Sequence, residues 1–323
     1  MSIIADAIRP FWAPNIHDVG GRLTKDLRGW ICDERYAIYQ PLTQSGFHLF
    51  VDTGATEVAL IRALAFDAGR LAGAAFESVS DVRKRGEAPK STAWSFIKLY
   101  YAAFFSAHSI LRILGSSCTQ FTDAQARSIN RIAAVYSVQG VGAATGFYWC
   151  RYLQPSAEFE GTRLTSSKGG VHETFWQVFN SEIGSLCQRL LSSGGSTTRS
   201  QQVVAKLSDL QGILCLEGRS GTWLSQIRNE VNYRHGLGAW HPYRGFTNSN
   251  RRLYEAANRW KDDPMGMSLR SGDRVAQYHA ACSFLVALCR VLIEDLSDRC
   301  QGRSCHEYGP LAFLNQAGLR TLA

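Results

Sequence analysis

The run Trp94-Ser-Phe-Ile-Lys-Leu-Tyr-Tyr-Ala-Ala-Phe-Phe-Ser-Ala-His-Ser-Ile-Leu-Arg-Ile-Leu114 constrains the fold more than any other part of the chain. It is apolar over most of its circumference, with Tyr100, Tyr101, Phe104 and Phe105 set among small alanines, so neighbours must cover it on several sides. A helix of this kind sits at the centre of a bundle. Ser91 or Thr92 offers its N-cap, and Gly115 closes it.

Other stretches supply the neighbours. Leu60, Ile61, Leu64, Ala68, Leu71, Ala75 and Val79 recur at three- and four-residue steps, the period of an amphipathic helix, until the charged stretch Asp81–Lys90 with Gly86 and Pro89 ends it. Asp123 opens a helix through Tyr136, and Phe175, Phe179, Ile183, Leu186 and Leu190 mark another. A short helix over Ser200–Gln211 precedes one starting near Thr222, and Asp273 caps a long apolar helix over Val275–Leu296. Strand-like alternation is confined to Phe47–Val51 and Gly146–Leu153. The expected fold class is therefore all-α. It is a helical bundle over 57–298 with insertions at 137–171 and 236–271, preceded by a small irregular, β-containing region over 1–56 and followed by a tail over 299–323. No repeat of fixed period is visible.

With 45% hydrophobic and 19% charged residues, a disordered chain is excluded. Asp6 and Arg9 fall where the apolar part of a signal peptide would lie, so none is expected. His108 with Arg112, and Arg290, interrupt the most apolar stretches well short of a bilayer span, so no membrane partner is expected either. Cys187, Cys215, Cys282 and Cys289 sit in helical apolar patterns, as reduced core thiols of a cytoplasmic protein would. Phosphate-binding and dinucleotide motifs are missing, and Cys300, Cys305 and His306 lack a fourth zinc ligand at a usual spacing. No cofactor or metal is expected.

The formal charge is +8, and the stretch Arg219 to Arg274 holds ten Lys/Arg against five Asp/Glu. It also interleaves Trp223, Tyr233, Trp240, Tyr243, Phe246 and Trp260. Cations that hold phosphates beside rings that stack bases point to RNA as a partner. Within it lies Trp223-Leu-Ser-Gln-Ile-Arg228-Asn229-Glu230-Val231-Asn232-Tyr233-Arg234-His235. On a continuing helix Arg228, Asn232 and His235 stand at i, i+4 and i+7 and share one face. Arginine holds a phosphate bidentately and histidine moves a proton near neutral pH, so this face suits phosphodiester chemistry. Tyr233, Arg234, His241 and Arg244 are further candidates for RNA contacts from the same segment.

Arg228-Asn229 followed by His235 late in a helical bundle, together with the aromatic and alanine-rich Trp94–Leu114 helix, resembles the HEPN superfamily. The resemblance covers roughly 57–136 and 172–298. It implies a metal-independent endoribonuclease, active as a homodimer, in which the RNA 2′-hydroxyl attacks the adjacent phosphorus and leaves a 2′,3′-cyclic phosphate. By that resemblance His235 is the general acid or base, Arg228 binds and polarises the phosphate, and Asn229 orients one of them. Such proteins act as toxins or anti-phage defence effectors, so an antitoxin or another defence protein is a further expected partner. Two other readings stay open: a non-catalytic HEPN scaffold that binds RNA or protein, and a purely structural role for Arg228 and His235.

Overall fold

The computed structural model describes residues 2–82, 92–165, 170–193, 198–241, 253–270 and 272–320. In chain order the helices and strands are α1 (Ile3–Ile8), α2 (Leu27–Cys32), β1 (Gly46–Phe50), α3 (Ala55–Asp81), α4 (Ala93–Ile113), β2 (Ser116–Phe121), α5 (Asp123–Val135), β3 (Gly146–Leu153), β4 (Glu158–Leu164), α6 (Gly170–Ser192), α7 (Thr198–Leu214), α8 (Trp223–Arg234), α9 (Leu253–Asn258), α10 (Arg274–Arg299) and α11 (Pro310–Gln316). Short 3-10 turns separate several of them.

The central helix is α4, as its composition requires, packed between α3 and α10 with α8 beside it. Two of its hydrogen bonds show how a buried helix satisfies hydroxyls without water. Ser109 Oγ donates to the Ala68 carbonyl of α3 at 2.9 Å, and Tyr278 Oη of α10 donates to the Phe96 carbonyl of α4 at 2.9 Å. Gly115 ends α4 at φ +77°, a backbone state that disfavours a side chain. Asp273 caps α10 by accepting from the amides of Val275 at 2.7 Å and Ala276 at 3.3 Å. Thr122 and Gln125 form a capping box at the start of α5.

The all-α expectation is overturned. The chain is mostly helical but mixed, with a four-stranded antiparallel sheet in the order β1-β4-β3-β2. The sheet draws β1 from the N-terminal region, β2 from the segment directly after α4, and the β3–β4 hairpin from the stretch read as an insertion. Pairing is specified by burial: Phe47 and Leu49 of β1, Tyr148 and Cys150 of β3 and Phe159 of β4 all turn inward. Neither β2 (Ser-Ser-Cys-Thr-Gln-Phe) nor β4 (Glu-Phe-Glu-Gly-Thr-Arg-Leu) carries a strong apolar alternation, and only the neighbouring strands make them strands.

Gly161 of β4 leaves room for the buried ring of Phe47, because a Cβ there would stand 2.1 Å from a ring carbon. Phe47 in turn stacks on Phe121 with ring centres 5.8 Å apart. Gly161→Ala must displace that ring, and we expect a loss of about 1–3 kcal/mol in the urea-unfolding free energy. An unchanged midpoint would show that Phe47 moves freely.

The segment 236–271, read as a long loop, holds α9 and two 3-10 turns; residues 242–252 and 271 lie outside the described residues. Trp260 anchors it, buried and stacked on Phe76 at 6.0 Å. Arg290, buried within α10, pairs with Glu294 at 2.7 Å and donates to the carbonyls of Trp260, Lys261 and Asp262 at 3.3, 3.0 and 3.2 Å. It thereby satisfies the carbonyls of the turn that Trp260 anchors. The tail read as irregular forms α11, whose Leu311 and Leu314 bury against α3. No helix among the described residues is long and apolar enough to cross a membrane. All nine cysteines are free; Cys187, Cys282 and Cys289 are buried and Cys215 is half-buried.

Candidate functional site

Helix α8 presents two unlike faces. Trp223, Leu224, Ile227 and Val231 are fully buried, whereas Arg228, Asn229 and Asn232 are half-buried, and Tyr233 and Arg234 are exposed. The helix begins after Gly221, where φ is +88° and a Cβ would stand 2.8 Å from Asn180 of α6. That close approach seats α8 against α4 and α6 and carries Arg228 to the tyrosines of α4.

The Arg228 guanidinium lies in a cage of three tyrosines. Its centre is 5.6 Å from the Tyr100 ring, 5.8 Å from Tyr101 and 5.8 Å from Tyr233, within reach of cation–π attraction. One Nη donates to Asn229 Oδ1 at 2.7 Å and the other to the Tyr101 hydroxyl at 3.1 Å. Its Nε is buried with no hydrogen-bond partner. No carboxylate pairs with Arg228 among the described residues, so its charge is offset only by π faces and neutral oxygens.

Next to the cage stands His172 of α6. Its Nδ1 is 3.0 Å from the Tyr100 hydroxyl, which also accepts from Trp176 Nε1 at 3.0 Å. Burial, and then the Arg228 charge, pull the His172 pKa down to about 4, so the ring is neutral at physiological pH. His172, Tyr100 and Tyr101 are site residues that no motif in the sequence marks. The tyrosines sat in a helix whose composition reads as core, and His172 belongs to no spacing pattern.

His235 stands apart from Arg228. α8 stops at Arg234, and His235 takes the left-handed conformation at φ 51°, ψ 31°, so the i+7 continuation does not reach it. The Gly236 amide closes the turn by donating to the Glu230 carbonyl at 3.0 Å. The exposed imidazole of His235 meets the Trp240 ring at 5.8 Å, and no hydrogen bond joins it to Arg228. Trp240 is held by donating its Nε1 to the Val231 carbonyl at 2.8 Å, and it meets Trp94 edge-on at 5.7 Å. Trp94, 61% exposed, and Tyr233, 70% exposed, are large rings facing water. The result is a row of His235, the half-buried Trp240 and Trp94 at the surface, and Trp94 too is marked by no motif in the sequence.

The local basic surplus is less free than the sequence implies. Arg259 pairs with Asp262, Arg270 with Asp209, and Arg274 with both Glu217 and Glu230. Arg228 and Arg234 have no such partner among the described residues. Asn229 and Arg234 line a recess of about 300 Å³ with Glu173, Glu217 and Arg274, a surface of mixed sign rather than a positive groove. His241 is exposed at the end of the described turn, and Arg244 lies outside the described residues. His108 is buried in the core, where its Nδ1 faces Arg112 at 2.9 Å. Among the described residues no three His, Cys, Asp or Glu side chains converge on a metal-binding point, Cys300, Cys305 and His306 included. No family model, no curated protein and no solved structure matches the chain.

Proposed function

We propose that the protein is a metal-independent endoribonuclease of the HEPN type, acting as a toxin or defence effector. The observation that carries this reading is the Arg228 guanidinium, held without a carboxylate partner beside an exposed row of aromatic rings that ends in His235. An unpaired cation is available to a phosphate, and exposed indoles are available to unpaired bases. In this reading His235 takes the proton from the RNA 2′-hydroxyl as that oxygen bonds to phosphorus, or returns one to the departing 5′-oxygen. Asn229 orients the guanidinium, and Asn232, Tyr233, Arg234 and His241 contact the strand around it.

In this reading the reacting phosphate lies between two copies of the chain, each lending part of the site, which accords with His235 and Arg228 standing apart within one chain. A purely structural role for Arg228 draws its support from the cage itself. A guanidinium enclosed by Tyr100, Tyr101 and Tyr233 is also what a structural lock between α4 and α8 requires.

Cleavage of a labelled single-stranded RNA separates these readings. Arg228→Ala and His235→Ala are each expected to lose about 100-fold or more in rate with helicity retained by circular dichroism. Parent-like cleavage by both variants would remove the assigned roles, and binding without cleavage in the parent would favour the scaffold. Trp94→Ala should weaken single-stranded RNA by about 1–3 kcal/mol and leave duplex RNA unaffected. Equal effects on both substrates would argue against base stacking.

A further inference from the structure

A second groove, away from α8, lies between α3 and the segments 22–24 and 305–310 and encloses about 450 Å³, a volume in the range of small-ligand sites. Its walls are apolar where Leu23, Phe66 and Pro310 face it. Arg22 and Arg70 also line it, and no acidic side chain does among the described residues. Two guanidiniums without a lining carboxylate make an anion-binding surface.

Each cation is held in place by something other than a ligand. Arg70 donates its Nε to Asp67 Oδ1 at 2.7 Å, which leaves its terminal nitrogens free of that bond. Asp67 is buried and is shared with the buried Arg112 at 3.9 Å, so one carboxylate serves two guanidiniums and a positive charge is left over. Arg22 has no ion pair among the described residues and lies 5.4 Å from the Tyr308 ring, with Arg303 over the same ring at 4.3 Å. His306 closes the floor. It is 1% exposed, and neither ring nitrogen has a hydrogen-bond partner among the described residues. The helical residue opposite is Gly69, where a Cβ would stand 3.1 Å from His306 Nδ1, so any larger residue crowds the floor. An imidazole buried with both nitrogens unsatisfied is costly, and a polar ligand edge entering the floor relieves that cost.

We propose that this groove binds a nucleoside monophosphate, with the phosphate on Arg22 and Arg70, the base against Phe66, Leu23 and Pro310, and the base edge toward His306. The volume exceeds what a bare anion needs, and the apolar walls call for a flat ring. This site is independent of the Arg228 reading.

Isothermal titration of the full chain with AMP, adenosine and inorganic phosphate tests it. AMP is expected to bind at least tenfold more tightly than either fragment. Arg22→Ala, on an exposed side chain whose loss leaves the core intact, should weaken AMP by tenfold or more, as should Arg70→Ala, while Arg228→Ala should leave it unchanged. The proposal is overturned if AMP does not bind, if phosphate alone matches it, if both groove variants bind like the parent, or if Arg228→Ala abolishes the signal.

Discussion

Lowering the pH from 6.5 to 5 is expected to destabilise the protein steeply, by on the order of 1 kcal/mol per pH unit for each imidazole that the fold keeps neutral, those of His306, His279, His172 and His108. Burial holds the pKa of His306 down to about 4 and that of His279 down to about 3. His108 lies well below its ordinary value, through burial first and the neighbouring Arg112 charge second. The sign follows from the proton balance. Unfolded, these groups titrate near 6.5; folded, they stay neutral until far lower pH, so across this window the unfolded chain binds more protons. Stability is therefore full above about pH 6.5 and is lost as the pH falls toward the folded values. The geometry agrees, since His279 Nε2 and both nitrogens of His306 lack a hydrogen-bond partner among the described residues, and the nearby Glu307 charge offsets the burial of His306 only in part. Urea midpoints measured at half-unit steps check this, and a flat profile from pH 6.5 to 5 would contradict it. His279→Leu should remove about one quarter of the slope.

Asp67→Ala is the substitution expected to cost most, about 3–5 kcal/mol, because it strands a buried charge. Asp67 of α3 accepts from Arg70 Nε at 2.7 Å and from the Leu27 amide at 3.4 Å, and it pairs with Arg112 at 3.9 Å. Arg112 is the harder case. Only 4% exposed, it has the carbonyls of His108 and Cys118 at 3.2 Å each, with Asp67 as its counter-charge. One carboxylate thus ties α2, α3 and α4 together and anchors the first turn of α2 to the bundle. Paired replacement of Asp67 and Arg112 by Asn and Met should recover part of the loss, since neither charge then remains alone. If the double variant is no better than Asp67→Ala, the cost arises from packing rather than from the stranded guanidinium.

The helical part of the fold was legible because its signals are local. The spacing of Leu60, Leu64, Ala68 and Ala75 marks a buried face, and Asp273 and Gly115 mark ends, all within a turn or two of the residues they govern. The sheet was not, because its partners are distant. Phe47 pairs with Gly161 across more than a hundred residues, and the polar sequence of β2 becomes a strand only beside β3. The site divides in the same way. Arg228, Asn229 and His235 stand out as residue types in a spacing, whereas Tyr101, His172 and Trp94 join them only through the packing of α4, α6 and α8.

From its order of residues alone, this chain had a buried central helix, flanking amphipathic helices and a concentration of cations and rings near α8, since periodicity and charge are properties of neighbours in sequence. Which cations are spent on carboxylates, where His235 turns off the end of α8, and which surface rings stand beside the Arg228 cage were settled only when distant segments met. The physical reason is common to all three. Ion pairing, the left-handed turn and ring packing each depend on groups within a few ångströms in space, and separation along the chain says little about that distance.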